Sequence, residues 1–130
     1  MKIVLRSKEG MQFEVASNEH KIDIDAKPPI GKGTAMTPKE LVAAGLGGCT
    51  AMDVIALLRK HKQALESLLV EVNILSSEGG QPVVFQSAEL QYEARGAIDK
   101  AVLLESVRLS QTKYCGVSAI DRKSTRLNSS

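Results

Sequence analysis

The longest apolar stretch of this chain reads Thr37-Pro-Lys-Glu-Leu-Val-Ala-Ala-Gly-Leu-Gly-Gly-Cys-Thr-Ala-Met-Asp-Val-Ile-Ala-Leu-Leu58. Thr37 is a good N-cap, Pro38 suits the first helical position, and Glu40 completes a Thr-x-x-Glu capping box. Apolar residues then surround the helix axis almost completely until the positive charge that begins at Arg59, which suits a helix C-terminus. The stretch therefore predicts a long helix that needs burial on every side.

Cys49 lies in the middle of this predicted helix, and Gly45, Gly47 and Gly48 come just before it. Each glycine in a helix interior lowers the stability of the helix by roughly 1 kcal/mol relative to alanine. Three glycines within four residues therefore require an explanation. Close helix–helix packing, in which another backbone approaches the helix, is one reason, and space for a substrate near the sulfur is another. Both can hold together.

Cys49 and Cys115 are the only two cysteines of the chain. One interpretation is that both are small buried hydrophobes, which is how cysteine usually behaves in a core. The other is redox chemistry, because two cysteines in a cytosolic protein more often serve catalysis or redox sensing than a structural disulfide. A reactive thiol also needs a nearby cation or helix N-terminus to stabilise its thiolate. The candidate cations are Arg6, Lys39, Arg95 and Lys113.

Glu40 has two possible roles, one as the capping-box glutamate and one in catalysis. Nine positions separate it from Cys49 (49 − 40), and at ~100° per residue this places the two on opposite faces of an ideal helix. Glu40 can serve a site at Cys49 only if the helix bends at its glycines or if the site belongs to another subunit.

Composition and charge exclude several classes of function. The 17 lysines and arginines are spread along the chain and give a net charge of only +2, so no nucleic-acid partner is expected. His20 and His61 are isolated, and no cluster has the spacing of metal ligands, so we expect neither a metal nor a cofactor. The N-terminus carries charge too early for a signal peptide, which predicts a cytoplasmic protein. The apolar helix contains Asp53 and glycines, so a buried core helix is expected rather than a membrane span.

The remaining pattern predicts an α+β fold in a single domain over 1–120. Alternating apolar residues indicate strands near the N-terminus and after the long helix, and a second helix precedes Cys115. The segment 121–130 loses all periodicity and predicts an irregular tail, either of non-native origin or in place of a native C-terminal strand. The predicted strands are 2–6, 11–16, 20–25, 67–76 and 83–93, and the second helix is 99–112.

The segment 37–50, together with the distant Ser110-Gln-Thr-Lys-Tyr-Cys-Gly-Val-Ser118, resembles the OsmC/Ohr family of osmotically inducible and organic hydroperoxide resistance proteins. The resemblance implies an intertwined homodimer in which antiparallel sheets enclose the central cysteine-bearing helix. It further implies thiol-dependent reduction of organic hydroperoxides, with Cys49 as the peroxidatic thiolate, Cys115 as the resolving thiol and an external dithiol as reductant. Glu40 or Lys39 lies where the family has its active-site glutamate.

Two departures from the family pattern bear on these implications. In the best-studied branch a glutamate directly follows the proline, whereas here that position is Lys39. The arginine that activates the thiolate in that branch has no convincing match, and Arg6 is the one candidate. The alternatives are a non-enzymatic dimer that senses redox state or binds an apolar ligand, and a structural dimer with two inert cysteines.

Overall fold

The computed structural model describes residues 1–76 and 85–111 and the backbone of 122–129. Two helices and six strands make up these parts of the chain, which confirms the predicted α+β class. In chain order they are β1 (Val4–Ser7), β2 (Phe13–Ser17), β3 (His20–Ile24), α1 (Pro38–Lys60), β4 (Ala64–Ser76), β5 (Phe85–Ala97), α2 (Lys100–Leu109) and β6 (Arg122–Ser129).

The chain divides into two compact units, Met1–Val42 and Ala43–Ser130, with the boundary inside α1. The single domain over 1–120 therefore stays a prediction. The first unit contains an antiparallel sheet in the order β1-β2-β3. Its register aligns Leu5 with Val15 and Val15 with Ile22, so these apolar side chains share one face of the sheet. Leu5 and Ile22 nevertheless remain 52% and 43% exposed in the single chain.

The loop between β3 and α1 is organised around the carboxylate of Asp25. Its Oδ2 accepts hydrogen bonds from the hydroxyl of Thr34 at 2.7 Å and from the Thr34 backbone N–H at 3.1 Å, while Oδ1 accepts from the Ala26 N–H at 2.7 Å. The Thr34 hydroxyl is the main cause, followed by the backbone N–H groups, of a lowered pKa for Asp25. The Asp25 N–H donates to the carbonyl of Met36 at 3.0 Å. This network brings the chain back alongside β3 just before α1 begins.

The second unit packs both helices on a sheet in the order β4-β5-β6. Strands β4 and β5 are long and antiparallel, as predicted, although β4 begins at Ala64 rather than Ser67. The core consists of apolar side chains from α1, α2 and the inner face of β5, and the inner face of β4 packs against it. The fully enclosed members are Leu46, Val54, Leu58, Ala88, Leu90, Tyr92, Ala94, Leu103 and Val107.

The tail that the sequence predicts to be irregular forms a strand over most of its length. The backbone of β6 pairs parallel with β5, from Arg122 opposite Ala88 to Ser129 opposite Ala94. The second sheet is therefore mixed, and the prediction of an irregular segment is wrong for 122–129. Backbone N–H and C=O groups form such a ladder without any apolar alternation, which explains why the side-chain pattern gave no sign of it. The origin of this segment stays a prediction.

Only part of the apolar surface of α1 is covered by the residues that the structure describes. By length and composition alone α1 could cross a membrane, and 33% of its most apolar window is buried. Its buried residues lie towards the second sheet, whereas Met52 is 73% exposed. The described residues thus leave the surface of α1 around Met52 exposed.

Candidate functional site

Cys49 is half-buried in the middle of α1. Two positions before it, Gly47 is buried and points towards β4, where an added Cβ would lie 2.8 Å from Cγ2 of Val72. At ~100° per residue, Cys49 therefore lies nearly opposite the side of α1 that rests on β4. The same geometry places Cys49 on one side with Met52 and Ala56, both of which are exposed. The thiol therefore lies on the side of α1 that carries Met52 and faces away from β4.

The glycines before Cys49 serve two different purposes. Gly47 lets α1 approach the side chain of Val72 on β4 closely, so the close packing at this position is against a strand and not, as the sequence predicts, against another helix. Around Gly45 and Gly48, by contrast, an added Cβ would meet nothing within 4 Å. At these two positions the helix surface is low and has open space beside it.

We expect alanine to act in opposite ways at Gly47 and Gly48. Gly47→Ala would press on Val72, whose β-branched side chain has little rotamer freedom to move away. Gly48→Ala would gain helix propensity in open space. Urea denaturation should show Gly47→Ala to be the less stable of the two by about 1–3 kcal/mol. Equal stabilities would mean that Gly47 has no packing role.

Glu40 forms the capping box that the sequence predicts. Its Oε1 accepts a hydrogen bond from the Thr37 N–H at 3.2 Å, and its own N–H donates to the Thr37 hydroxyl oxygen at 3.2 Å. The Thr37 N–H, and after it the Thr37 hydroxyl, lowers the pKa of Glu40. The carboxylate is thereby held at the start of α1, and its catalytic role stays a prediction.

An apolar cleft of about 410 Å³ lies between α1 and β4. Its lining residues are Ala43, Ala44, Gly47, Gly48, Ala51, Leu68, Val70 and Val72. Cys49 is not among them, because the cleft follows the side of α1 that faces β4 and the thiol lies on the other side. The apolar pocket expected around the sulfur is therefore not this cleft of the same chain.

Asp53 is the residue near the thiol that sequence reasoning missed. It follows Cys49 by one helical turn, so the two side chains lie on one face of α1. Its Oδ2 is shielded from solvent and accepts no hydrogen bond among the residues that the structure describes. The signal available in the sequence was the four-residue spacing, but Asp53 was considered only as an argument against a membrane span.

The structure describes only some of the other predicted site residues. Cys115 and Lys113 lie outside the described residues, so the resolving role of Cys115 and its closeness to Cys49 stay predictions. Among the candidate cations, Arg95 pairs with Glu93 at 3.2 Å on the surface of β5. In the described ranges no group of three histidine, cysteine or acidic residues could hold a metal ion.

Comparison with known proteins identifies the family from sequence and finds the same fold in solved structures. A family model described as OsmC-like protein matches residues 31–130. Protein YhfA of Escherichia coli strain K12 is 30% identical over 125 residues, which cover 94% of this chain and 90% of YhfA. The region matched by the family model includes both cysteines and Glu40.

Solved structures share the fold at lower identity. A hypothetical protein from Aquifex aeolicus VF5 superposes with a TM-score of 0.85 at 22% identity, over 99% of this chain and 96% of that one. An organic hydroperoxide resistance protein from Elizabethkingia anophelis gives a TM-score of 0.73 at 16% identity, over 98% of this chain and 96% of its own. The resemblance noted at the cysteine motifs thus extends over the whole chain, and the protein belongs to the OsmC-like family.

Proposed function

We propose that this protein reduces organic hydroperoxides with a pair of cysteines, Cys49 as the attacking thiolate and Cys115 as the resolving thiol. The observation that carries the proposal is the family match over 31–130, which spans both cysteines, together with a half-buried Cys49 in the middle of α1. The Elizabethkingia protein, whose fold this chain shares, is named for organic hydroperoxide resistance. The thiol is partly sheltered, and the open space at Gly45 and Gly48, which precede it on α1, leaves room for an apolar substrate.

The chemistry proceeds in three balanced steps. The Cys49 thiolate attacks the terminal oxygen of the hydroperoxide, the O–O bond breaks, and the alkoxide takes a proton from solvent to leave as an alcohol. Cys49 is then a sulfenic acid, which Cys115 attacks to form a disulfide with release of water. An external dithiol reduces this disulfide by thiol exchange and becomes a disulfide itself.

The proposed working unit is a homodimer. Among the described residues, exposed apolar side chains include Leu5 and Ile22 on the first sheet and Met52 on α1. Exposed apolar side chains of this size, where they form a contiguous surface, usually mark an interface in soluble proteins. Because Cys49 lies on the same side of α1 as Met52, a second copy would complete the shelter of the thiol. A glutamate at position 40 could then serve the site of the partner while still capping its own helix.

A second candidate function is the binding of an apolar ligand without turnover. The cleft between α1 and β4, with a volume of about 410 Å³ and lining side chains that are all apolar, favours this alternative. It predicts a protein that binds alkyl chains and leaves both cysteines reduced. Either function would operate in the cytoplasm, where a dithiol pool keeps cysteines reduced.

We expect one equivalent of an alkyl hydroperoxide to convert the reduced protein to an intramolecular disulfide. Titration should find that two thiols are lost, and mass spectrometry should find that the chain has lost two hydrogen atoms. With a dithiol present, alkyl hydroperoxide should be consumed catalytically and faster than hydrogen peroxide. Retention of both thiols after this treatment would refute the peroxidase and leave the binding function.

A further inference from the structure

Four exposed cationic side chains lie where α1 ends and α2 begins. The two helix ends are joined directly, because the Asp99 N–H donates a hydrogen bond to Oε1 of Gln63 at 2.7 Å. None of the ion pairs found in the described parts of the chain includes any of the four cations. We call this group the basic junction, and its members are Arg59, Lys60, Lys62 and Lys100.

Lys62 carries its charge at a backbone position that favours glycine. The Lys62 N–H donates to the carbonyl of Arg59 at 3.0 Å, which begins a Schellman arrangement at the end of α1. The Gln63 N–H completes it by donating to the carbonyl of Leu58 at 2.9 Å. Lys62 is thereby held in the left-handed region, with a φ of 57°. A residue with a Cβ is less stable there than glycine, the usual residue at this position of the motif.

Lys100 also lies at an unfavourable position. It is the first residue of α2, and the unpaired N–H groups at a helix N-terminus already carry a partial positive charge. Acidic residues are favoured in the first turn, yet the first turn of α2 contains none. The carboxylate of the N-cap Asp99 is engaged by the Ala101 N–H at 2.8 Å. Lys62 and Lys100 thus each lower local stability, and such departures are expected where a surface serves a function.

We propose that the basic junction docks the protein on an anionic phospholipid surface. Each lysine or arginine close to such a surface increases binding about fivefold, so four acting together give strong attraction. The arrangement suits a flat and fluid partner, because phosphate headgroups adjust to cations that stand on two different helix ends. This inference does not rest on the proposed function, since it concerns binding and not reduction.

The exposed face of α2 favours phospholipid over other polyanions. Leu104 follows Lys100 by one helical turn, so both lie on one face of α2, and Leu104 is 55% exposed. Cations beside an exposed leucine are typical of helices that lie in the interface of a membrane, where the apolar side chain enters the headgroup layer. An acidic protein segment or a nucleic acid would use the charges alone.

The test is cosedimentation of the reduced full chain with two kinds of vesicle. One kind mixes phosphatidylglycerol with phosphatidylcholine, and the other contains phosphatidylcholine alone. The protein should bind the anionic vesicles at least about tenfold more tightly, and this binding should fall steeply as the salt concentration rises. Equal binding to both kinds, or binding to neither, would overturn the proposal.

Lys62→Gly and Lys100→Gln should each stabilise the protein and yet weaken its binding. Thermal unfolding should show a Tm that is higher by about 1–3 °C for each variant, because each relieves an unfavourable position. Partition into anionic vesicles should fall about fivefold for each, and about a hundredfold when Lys60→Gln is added to both. A lower Tm in both variants would show that the two lysines serve the fold, and the proposal would fail.

A matched control removes three charges from the first unit, with Lys2, Lys8 and Lys21 each replaced by glutamine. This variant has the same net charge as the triple variant of the basic junction and should keep its partition within about twofold. Equal loss in the two triple variants would show that net charge, and not the basic junction, causes the binding.

Leu104→Ala separates phospholipid from other polyanions. It should lower the partition into anionic vesicles about threefold, because a smaller apolar side chain enters the headgroup layer. Polyglutamate and duplex DNA serve as the competing ligands, with binding measured by fluorescence anisotropy. Tighter binding to either one, together with vesicle binding that Leu104→Ala leaves unchanged, would overturn the assignment to phospholipid.

Discussion

Cys49→Ser should abolish catalytic consumption of organic hydroperoxides, with kcat/KM reduced at least about a hundredfold. A serine hydroxyl is scarcely ionised at neutral pH and is a far weaker nucleophile towards the O–O bond than a thiolate. The substitution is nearly isosteric at a half-buried position, so the fold should survive. The measurement is steady-state consumption of an alkyl hydroperoxide with a dithiol as reductant, at equal concentrations of the two proteins.

Cys115→Ser is the matched control, because it makes the same chemical change at the other cysteine. This variant should still react once with the hydroperoxide and accumulate the sulfenic acid, which a trapping reagent for sulfenic acids detects. Its turnover should then fall, since no thiol of the chain resolves that intermediate. A Cys49→Ser protein that keeps more than half of the activity would show that the reaction does not pass through Cys49. Equal loss in both variants, without a trapped intermediate, would contradict the assigned order of the two thiols.

The start of α1 shows why part of the site is readable from sequence. A capping box depends on residues three positions apart, so Thr37 and Glu40 carry the whole signal within one turn. The structure has both of its hydrogen bonds. The strands of the first sheet were predictable for a similar reason, because alternation at Phe13 and Val15 is also local.

The other parts of the site depend on contacts that no local pattern encodes. The packing of Gly47 on Val72 joins residues far apart in the sequence, so the sequence could state the close-packing explanation but could not assign it to one glycine. Similarly, the spacing places Asp53 one turn after Cys49, but the burial of its Oδ2 appears only once the tertiary structure exists. The strand β6 pairs through its backbone, which side-chain periodicity does not report.

The second large effect is expected at Met52, where a charge should break the proposed dimer. Met52 is 73% exposed in the single chain, on the same side of α1 as Cys49. If a second copy covers this surface, Met52→Glu places a carboxylate in an apolar interface without a partner. We expect this to weaken dimerisation by about 2–5 kcal/mol, or roughly 30-fold to several-thousandfold in the dissociation constant.

Light scattering over a series of concentrations measures this change directly. Wild-type protein should be dimeric at micromolar concentration, and Met52→Glu should be largely monomeric there. Leu104→Glu is the matched control, since Leu104 is 55% exposed on α2 and should tolerate the charge without loss of the dimer. Ala56→Glu, on the same side of α1 as Met52, should also cause dissociation. Agreement between the two variants would exclude local misfolding at Met52 as the cause.

A folded wild-type monomer at these concentrations would refute the dimer. Equal dissociation by Met52→Glu and Leu104→Glu would show that the dimer interface is not specific to the side of α1 that carries Met52. Cys49 would then have to be shielded by residues of its own chain.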